Sequence, residues 1–300
     1  MKVGGWVVGA ALLFSGAPVV AADAGAPVLL EPSTRWNVHY ADDFCRLARD
    51  FGIDDSRVTL VIDQFGPGDS FSLAIAGKPM KRLAPEGEAV IRFGTDFPEQ
   101  RLPFYSGTIG KDLPAWIFAG EVGIRPMPSD DNDKRTVGDV LAATVPLTET
   151  EKASITTIDI GSPLRHPIRL RTGSMQPVFD AMERCTDELL THWGIDVARH
   201  KTLSRPVIPE GNPGQWLTSS DYPKDMLRKG MPGIVEFRLT VGEDGRPIAC
   251  HIQKSTDSKG FDATVCSELT RHARFKPALD KDGKPMTSYY RDTVLFRLAN

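Results

Sequence analysis

The 300-residue chain is poor in the features that mark most function classes. It has four cysteines, too few for a disulfide-dense miniature scaffold but enough for two bridges. Net charge is only −3, and it is split: residues 205–300 hold 15 Lys+Arg against 12 Asp+Glu, residues 23–204 hold 20 against 27. Neither part has a clustered basic stripe, which excludes the footprint of a nucleic-acid binder. The six histidines, His39, His166, His192, His200, His251 and His272, show no paired ligand spacing, so no metal is expected. There is no Gly-x-Ser-x-Gly elbow, Walker loop or His-Glu-x-x-His. Arg171-Thr172-Gly173-Ser174 puts an arginine where an aspartic protease needs its carboxylate. Asp130-Asp131-Asn132-Asp133 lacks the alternate spacing, glycine and distant glutamate of a calcium loop. With no acid, base and nucleophile in one constellation, the expectation is a non-enzymatic protein with no catalytic residue and no cofactor.

Long apolar runs are also scarce, and the only one opens the chain. Met1-Lys2 leads into Val3–Ala22, broken by Gly16 and Pro18 and followed by small residues. A cation, an apolar core and a small-residue exit predict a signal peptide over residues 1–22, cleaved after Ala22. The alternative is an uncleaved inner-membrane anchor at residues 3–22, since about 20 apolar residues span a bilayer. Either way the remainder faces an oxidising space in which disulfides persist. Four cysteines allow three pairings. Cys45 and Cys185 fall in one predicted domain and Cys250 and Cys266 in the other, so the expected bridges are Cys45–Cys185 and Cys250–Cys266.

What is present reads as an α+β chain of about two domains. Residues 30–196 are a β-rich N-terminal domain with a terminal helix. Val58–Phe65 and Phe71–Ala76 flank the loop Gly66-Pro67-Gly68-Asp69, and further apolar runs fall at 89–93, 115–118, 155–160 and 168–171. Short strands punctuated by Gly and Pro predict a sandwich or barrel. Asp42 to Phe51 reads as a short helix. From Gln176 to Trp193, Val178, Met182, Cys185, Leu189 and Trp193 make one apolar stripe, with Ser174 as N-cap and Gly194 as stop. Residues 197–214 carry Arg205-Pro206, Ile208-Pro209 and Gly211-Asn212-Pro213-Gly214, and read as a linker.

Residues 215–300 give the clearest pattern. A short helix opens at Pro223 and stops at Gly230. In Ile234 to Val241, Val235, Phe237, Leu239 and Val241 face one side and Glu236, Arg238 and Thr240 the other, which predicts a half-buried strand. Asp244-Gly245 predicts a two-residue hairpin turn, pairing Val241 with Ile248, Leu239 with Cys250 and Phe237 with Ile252. Phe261 to Ala273 is a second helix and Ser288 to Leu298 a last strand. A helix between the second and third strands requires a crossover. With the third strand beside the first, the order is 2-1-3 in an antiparallel or mixed sheet, two helices cover one face, and the last strand is an edge.

Here the chain resembles the C-terminal domain of the TonB family. The matching residues are Tyr222-Pro223, Gly230-x-x-Gly233, Val241-Gly242-Glu243-Asp244-Gly245, Ser255-Thr256, Phe261-Asp262, Arg274-Phe275-Lys276-Pro277-Ala278, Asp282-Gly283-Lys284-Pro285 and Phe296-Arg297-Leu298. The resemblance implies a periplasmic module of a Gram-negative envelope that contacts TonB-dependent outer-membrane receptors by pairing with their extended TonB-box segment. Tyr289, Arg291, Thr293, Leu295 and Arg297 point away from the predicted core and would border that segment. Another envelope protein is the alternative partner, and the alternative to strand addition is that the edge is blocked by the N-terminal domain or by a second copy in a homodimer. The chain departs from classical TonB in lacking a long Pro/Glu/Lys-rich spacer, and Met226 and Phe261 stand where the family has smaller or aliphatic residues. A periplasmic ligand-binding or adaptor protein, with its function in the N-terminal domain and no energy transduction, is the alternative reading.

Overall fold

A computed structural model describes residues 26–81, 84–126, 146–255 and 259–298. The predicted signal peptide and the acidic run at 130–133 lie outside the described residues. The chain builds two hydrophobic cores, one from Leu30 to Leu189 and one from Val207 to Phe296.

The first core is wrapped by eleven strands: β1 (Val28–Leu30), β2 (Asn37–Tyr40), β3 (Cys45–Phe51), β4 (Val58–Gln64), β5 (Ser70–Ala76), β6 (Glu86–Phe93), β7 (Gln100–Ile109), β8 (Leu113–Phe118), β9 (Val122–Gly123), β10 (Thr157–Ile160) and β11 (Ile168–Arg171). Their order is β1-β11-β10-β6-β7-β8-β5-β4-β3-β2, with β9 beside β5. The residues after β1 then bond to the end of β3, through Gly52 N–H to Glu31 O at 2.7 Å and Ser33 N–H to Asp50 O at 2.9 Å. The two ends of the sheet thereby meet, as in a barrel. Inside lie Trp116 stacked on Phe104, ring centroids 4.4 Å apart, and Phe71 edge-on to Phe93. Each such buried aromatic contributes about 1.5–3 kcal/mol over its exposed state.

Residues 45–51 are a strand, which corrects the helix expected from Asp42 to Phe51. Cys45, Leu47 and Phe51 are buried in strand alternation. Arg46 reaches across to Asp63, its register partner on β4, with two bonds of 2.7 Å. A helical stripe cannot satisfy that period of two. α1 (Glu149–Ser154) is short, and α2 (Gln176–His192) lays Val178, Met182, Cys185 and Leu189 into the core. Cys185 is bonded to Cys45 on β3. Met175 rather than Ser174 is the N-cap of α2. Its end is a Schellman-type stop: Gly194 takes φ +74° and Ile195 N–H bonds Leu190 O at 2.9 Å.

Residues 197–214 hold α3 (Val197–His200) and β12 (Ile208–Pro209), and Val207 joins the second core. β12 pairs with β15 (Phe275–Lys276), while β16 (Ala278–Leu279) pairs with β17 (Pro285–Met286). α4 (Lys224–Arg228) and α5 (Lys259–His272) accompany the three-stranded antiparallel sheet of β13 (Gly233–Val241), β14 (Pro247–Ser255) and β18 (Ser288–Phe296). Its order is β14-β13-β18, so β18 is an edge. Val235, Phe237, Leu239 and Val241 face Phe261, Val265 and Leu269 of α5 in the second core. A bridge joins Cys250 on β14 to Cys266 on α5.

The hairpin differs in one detail from the expected two-residue turn. Gly242 N–H bonds Arg246 O at 2.9 Å, which leaves three residues in the loop, with Gly245 at φ +76°. Val241 consequently pairs with Pro247, not Ile248. A register shift between Thr240 and Val241 then restores the Leu239–Cys250 and Phe237–Ile252 pairs.

Candidate functional site

β18 pairs with β13 in one unbroken antiparallel register, from Gly233↔Phe296 to Val241↔Ser288. Alternation then sorts its side chains. Tyr290, Val294 and Phe296 pack on the second core. Tyr289, Arg291, Thr293 and Leu295 lie on the other face. Thr293, Leu295 and the following Arg297 are exposed, and Leu295 sits opposite Ile234, which is also exposed.

The strand's outer backbone row is visible at Thr293. Its N–H donates to the Asp292 carboxylate at 2.8 Å, so this donor is engaged at the rim by a side chain. Asp292 is itself steadied by the Tyr290 hydroxyl at 2.6 Å. In an antiparallel pair, ladder-facing and outward residues alternate. Tyr289, Arg291 and Leu295 therefore share the outward orientation of Thr293.

The helix-free face is divided. Its half nearer the hairpin carries the N-terminal region. Arg238, at 7% exposure, stands over the Trp193 ring, 4.0 Å from the guanidinium carbon to the centroid. Burial lowers the Arg238 pKa, while Asp43 opposes this. Thr240 beside it is buried as well. This corrects the half-buried reading of β13, in which Arg238 and Thr240 were expected on an outer side. The alternation was right, but the second cover comes from a distant part of the chain.

The contacts around that centre form a mixed polar and aromatic interface. Tyr289 meets Trp193 edge-on at 5.4 Å and stacks on His200 at 5.5 Å, and its hydroxyl donates to Pro67 O at 3.4 Å. Burial pushes the Tyr289 phenol up to about 12, with Arg291 pulling the other way. Burial also lowers the His200 pKa, against the pull of Asp187. Arg291 donates to Glu121 at 3.1 Å and to Gln253 at 2.8 Å, and lies over Phe65. His251 Nε2 approaches Asp43 Oδ1 at 2.7 Å, and Gln253 donates to Asp43 O at 3.2 Å.

Of the five edge residues singled out from the sequence, Tyr289 and Arg291 thus meet the N-terminal region, and Thr293, Leu295 and Arg297 are open. The interface residues Trp193, Arg238 and Glu121 had no sequence signal.

Residues 218–298 match the family model of the Gram-negative bacterial TonB protein C-terminal domain. The sheet, its helices and its edge strand over this span are a TonB-type C-terminal domain, as the motifs indicated. No curated protein gives a significant match to the chain. Among the described residues no helix is long and apolar enough to cross a membrane.

Proposed function

We propose that this is an exported, TonB-like interaction protein of the Gram-negative periplasm that contacts TonB-dependent outer-membrane receptors by strand addition. An extended TonB-box segment would lie along β18 and take up its outward backbone groups. Main-chain hydrogen bonds would supply affinity and alternate side chains specificity. The observation that carries this reading is the position of β18 at the edge of the matched domain, with Thr293, Leu295 and Arg297 exposed beside an outward N–H. Unpaired edges invite such pairing.

No Pro/Glu/Lys-rich spacer separates the two cores, and residues 197–214 are bonded onto the second one. Contact with a receptor, rather than transmission of force across the periplasm, is therefore the role assigned. The test is isothermal titration of the mature chain with a synthetic TonB-box peptide, alongside capture from envelope extract. Binding of the peptide and retention of outer-membrane receptors support the reading. Sedimentation as a homodimer with no peptide binding would replace it with self-association.

A further inference from the structure

The outer row of β18 has two halves with different neighbours. Tyr289 and Arg291 are held by the N-terminal region, and Thr293 and Leu295 are exposed. The fit at Tyr289 is close. A Cβ added at Gly66 would stand 2.8 Å from the Tyr289 hydroxyl oxygen. Gly66 is not among the glycines with positive φ, so backbone conformation does not require a glycine there. The missing side chain makes room for the phenol.

We propose that the N-terminal region is an intramolecular lock on the strand-addition edge, which shuts the half of β18 at Tyr289 and Arg291 and leaves the half at Thr293 and Leu295 open. The proposal rests on strand addition at β18. An added strand lies about 4.8 Å from β18. Residues directly opposite each other share a face. Side chains opposite Tyr289 and Arg291 would therefore project toward Phe65, Gly66, Pro67 and Glu121, which already hold those two residues. Among the described residues no such obstacle stands against residues 293–297, and their exposed Leu295 offers an apolar seat. The locked chain accepts a short segment, and release of the lock lengthens the site toward the hairpin end.

Two substitutions in the full mature chain open the lock from the N-terminal side without touching either core. Gly66→Leu wedges the loop against Tyr289. Glu121→Lys sets a cation against Arg291, and decides the matter alone if Gly66→Leu does not fold. Amide hydrogen exchange reports opening at residues 249–253 and 288–291. Fluorescence anisotropy with a labelled synthetic TonB-box peptide reports binding. Faster exchange in both segments, with affinity rising about tenfold (~1.4 kcal/mol), is the expected result. Faster exchange with equal or weaker binding overturns the lock and leaves strand addition standing. Unchanged exchange in the folded variants overturns it too. No binding by the unsubstituted chain or by either opened variant overturns strand addition, and the lock with it.

Discussion

The Phe261 ring occupies the space in which Gly233 would carry a side chain: a Cβ there would stand 2.7 Å from the ring. Phe261 is fully buried, packs on Phe296 at 4.4 Å and meets Tyr222 edge-on. The spaced pair of glycines in Gly230-x-x-Gly233 thus has two separate uses. Gly230 takes φ +62° at the end of α4, and Gly233 admits a ring to the sheet. Gly233→Ala should cost about 1–3 kcal/mol by overpacking. Phe261→Leu in the same chain should recover part of that loss, because the smaller side chain vacates the contested space. Urea unfolding of the two single variants and the double variant measures the coupling. Strict additivity would contradict the steric account.

The cysteine pairs make a direct chemical prediction. Cys45 and Cys185, and Cys250 and Cys266, should be recovered as linked peptides when the unreduced protein is digested. The bridge from β14 to α5 closes a short loop, with a sequence separation of 16. In the chain-entropy model such a loop contributes about 3 kcal/mol. The separation of 140 in the other pair gives that bridge the larger effect. Cys250→Ala/Cys266→Ala should lower the unfolding midpoint with the Cys45–Cys185 peptide still present. A peptide linking Cys45 to Cys250 would contradict the pairing.

Much of the C-terminal domain was legible in the sequence because its signals are local. Alternation over 233–241, the Asp244-Gly245 turn and the stripe from Phe261 to Ala273 each fix an element from adjacent residues. The edge position of β18 followed once the last strand was placed beside the first. The N-terminal region was harder to read because its strands are tied by long-range pairs. Arg46 on β3 finds Asp63 on β4 across 17 residues, and Arg49 on β3 donates to Thr172 O across 123. In residues 42–51 the polar residues Arg46, Arg49 and Asp50 hid an alternation that only the neighbouring strand explains. Coverage of the edge by the N-terminal domain stood as an alternative, but the residue contacts at Arg238 and Tyr289 were not legible. They join residues with sequence separations such as the 222 between Pro67 and Tyr289.

Acid should weaken the structure in two stages. His200 is half-buried against Tyr289, and its pKa is depressed from the ordinary 6.5. A base whose folded pKa is depressed takes up its proton more readily when unfolded. Its neutral form is therefore favoured in the fold above that range, and stability falls as pH drops below about 6.5. Asp159 acts in the same sense at lower pH. Burial raises its pKa, but hydrogen bonds from Arg169 and Arg92 outweigh that and leave it below the ordinary 3.8. Its contribution is complete above the unfolded value and is lost as pH falls through the folded one. Denaturant midpoints measured from pH 7.5 to pH 3 should show both losses. His200→Phe should remove the first and keep the second, and an unchanged first loss would contradict the assignment.

Arg238 and Trp193 should be energetically coupled. A guanidinium over an indole is worth about 0.5–2 kcal/mol, more where it is desolvated. Arg238→Met keeps the bulk and loses the charge. Arg238→Met, Trp193→Leu and the double variant form a cycle whose expected coupling is about 1 kcal/mol. Trp193 emission should also shift in Arg238→Met. Zero coupling with an unshifted spectrum would mean that the two residues only fill space.

Strand addition at β18 is tested most directly by calorimetric titration of a Thr293→Pro variant of the full mature chain with a synthetic TonB-box peptide. Proline removes the outward N–H at the start of the open half of the edge and leaves the ladder with β13 in place, because that donor is turned to the Asp292 carboxylate. Circular dichroism and the disulfide map should match those of the unsubstituted chain. Heat of binding should be present in the unsubstituted chain and absent in Thr293→Pro. Undiminished binding by the folded Thr293→Pro variant would contradict strand addition at this edge.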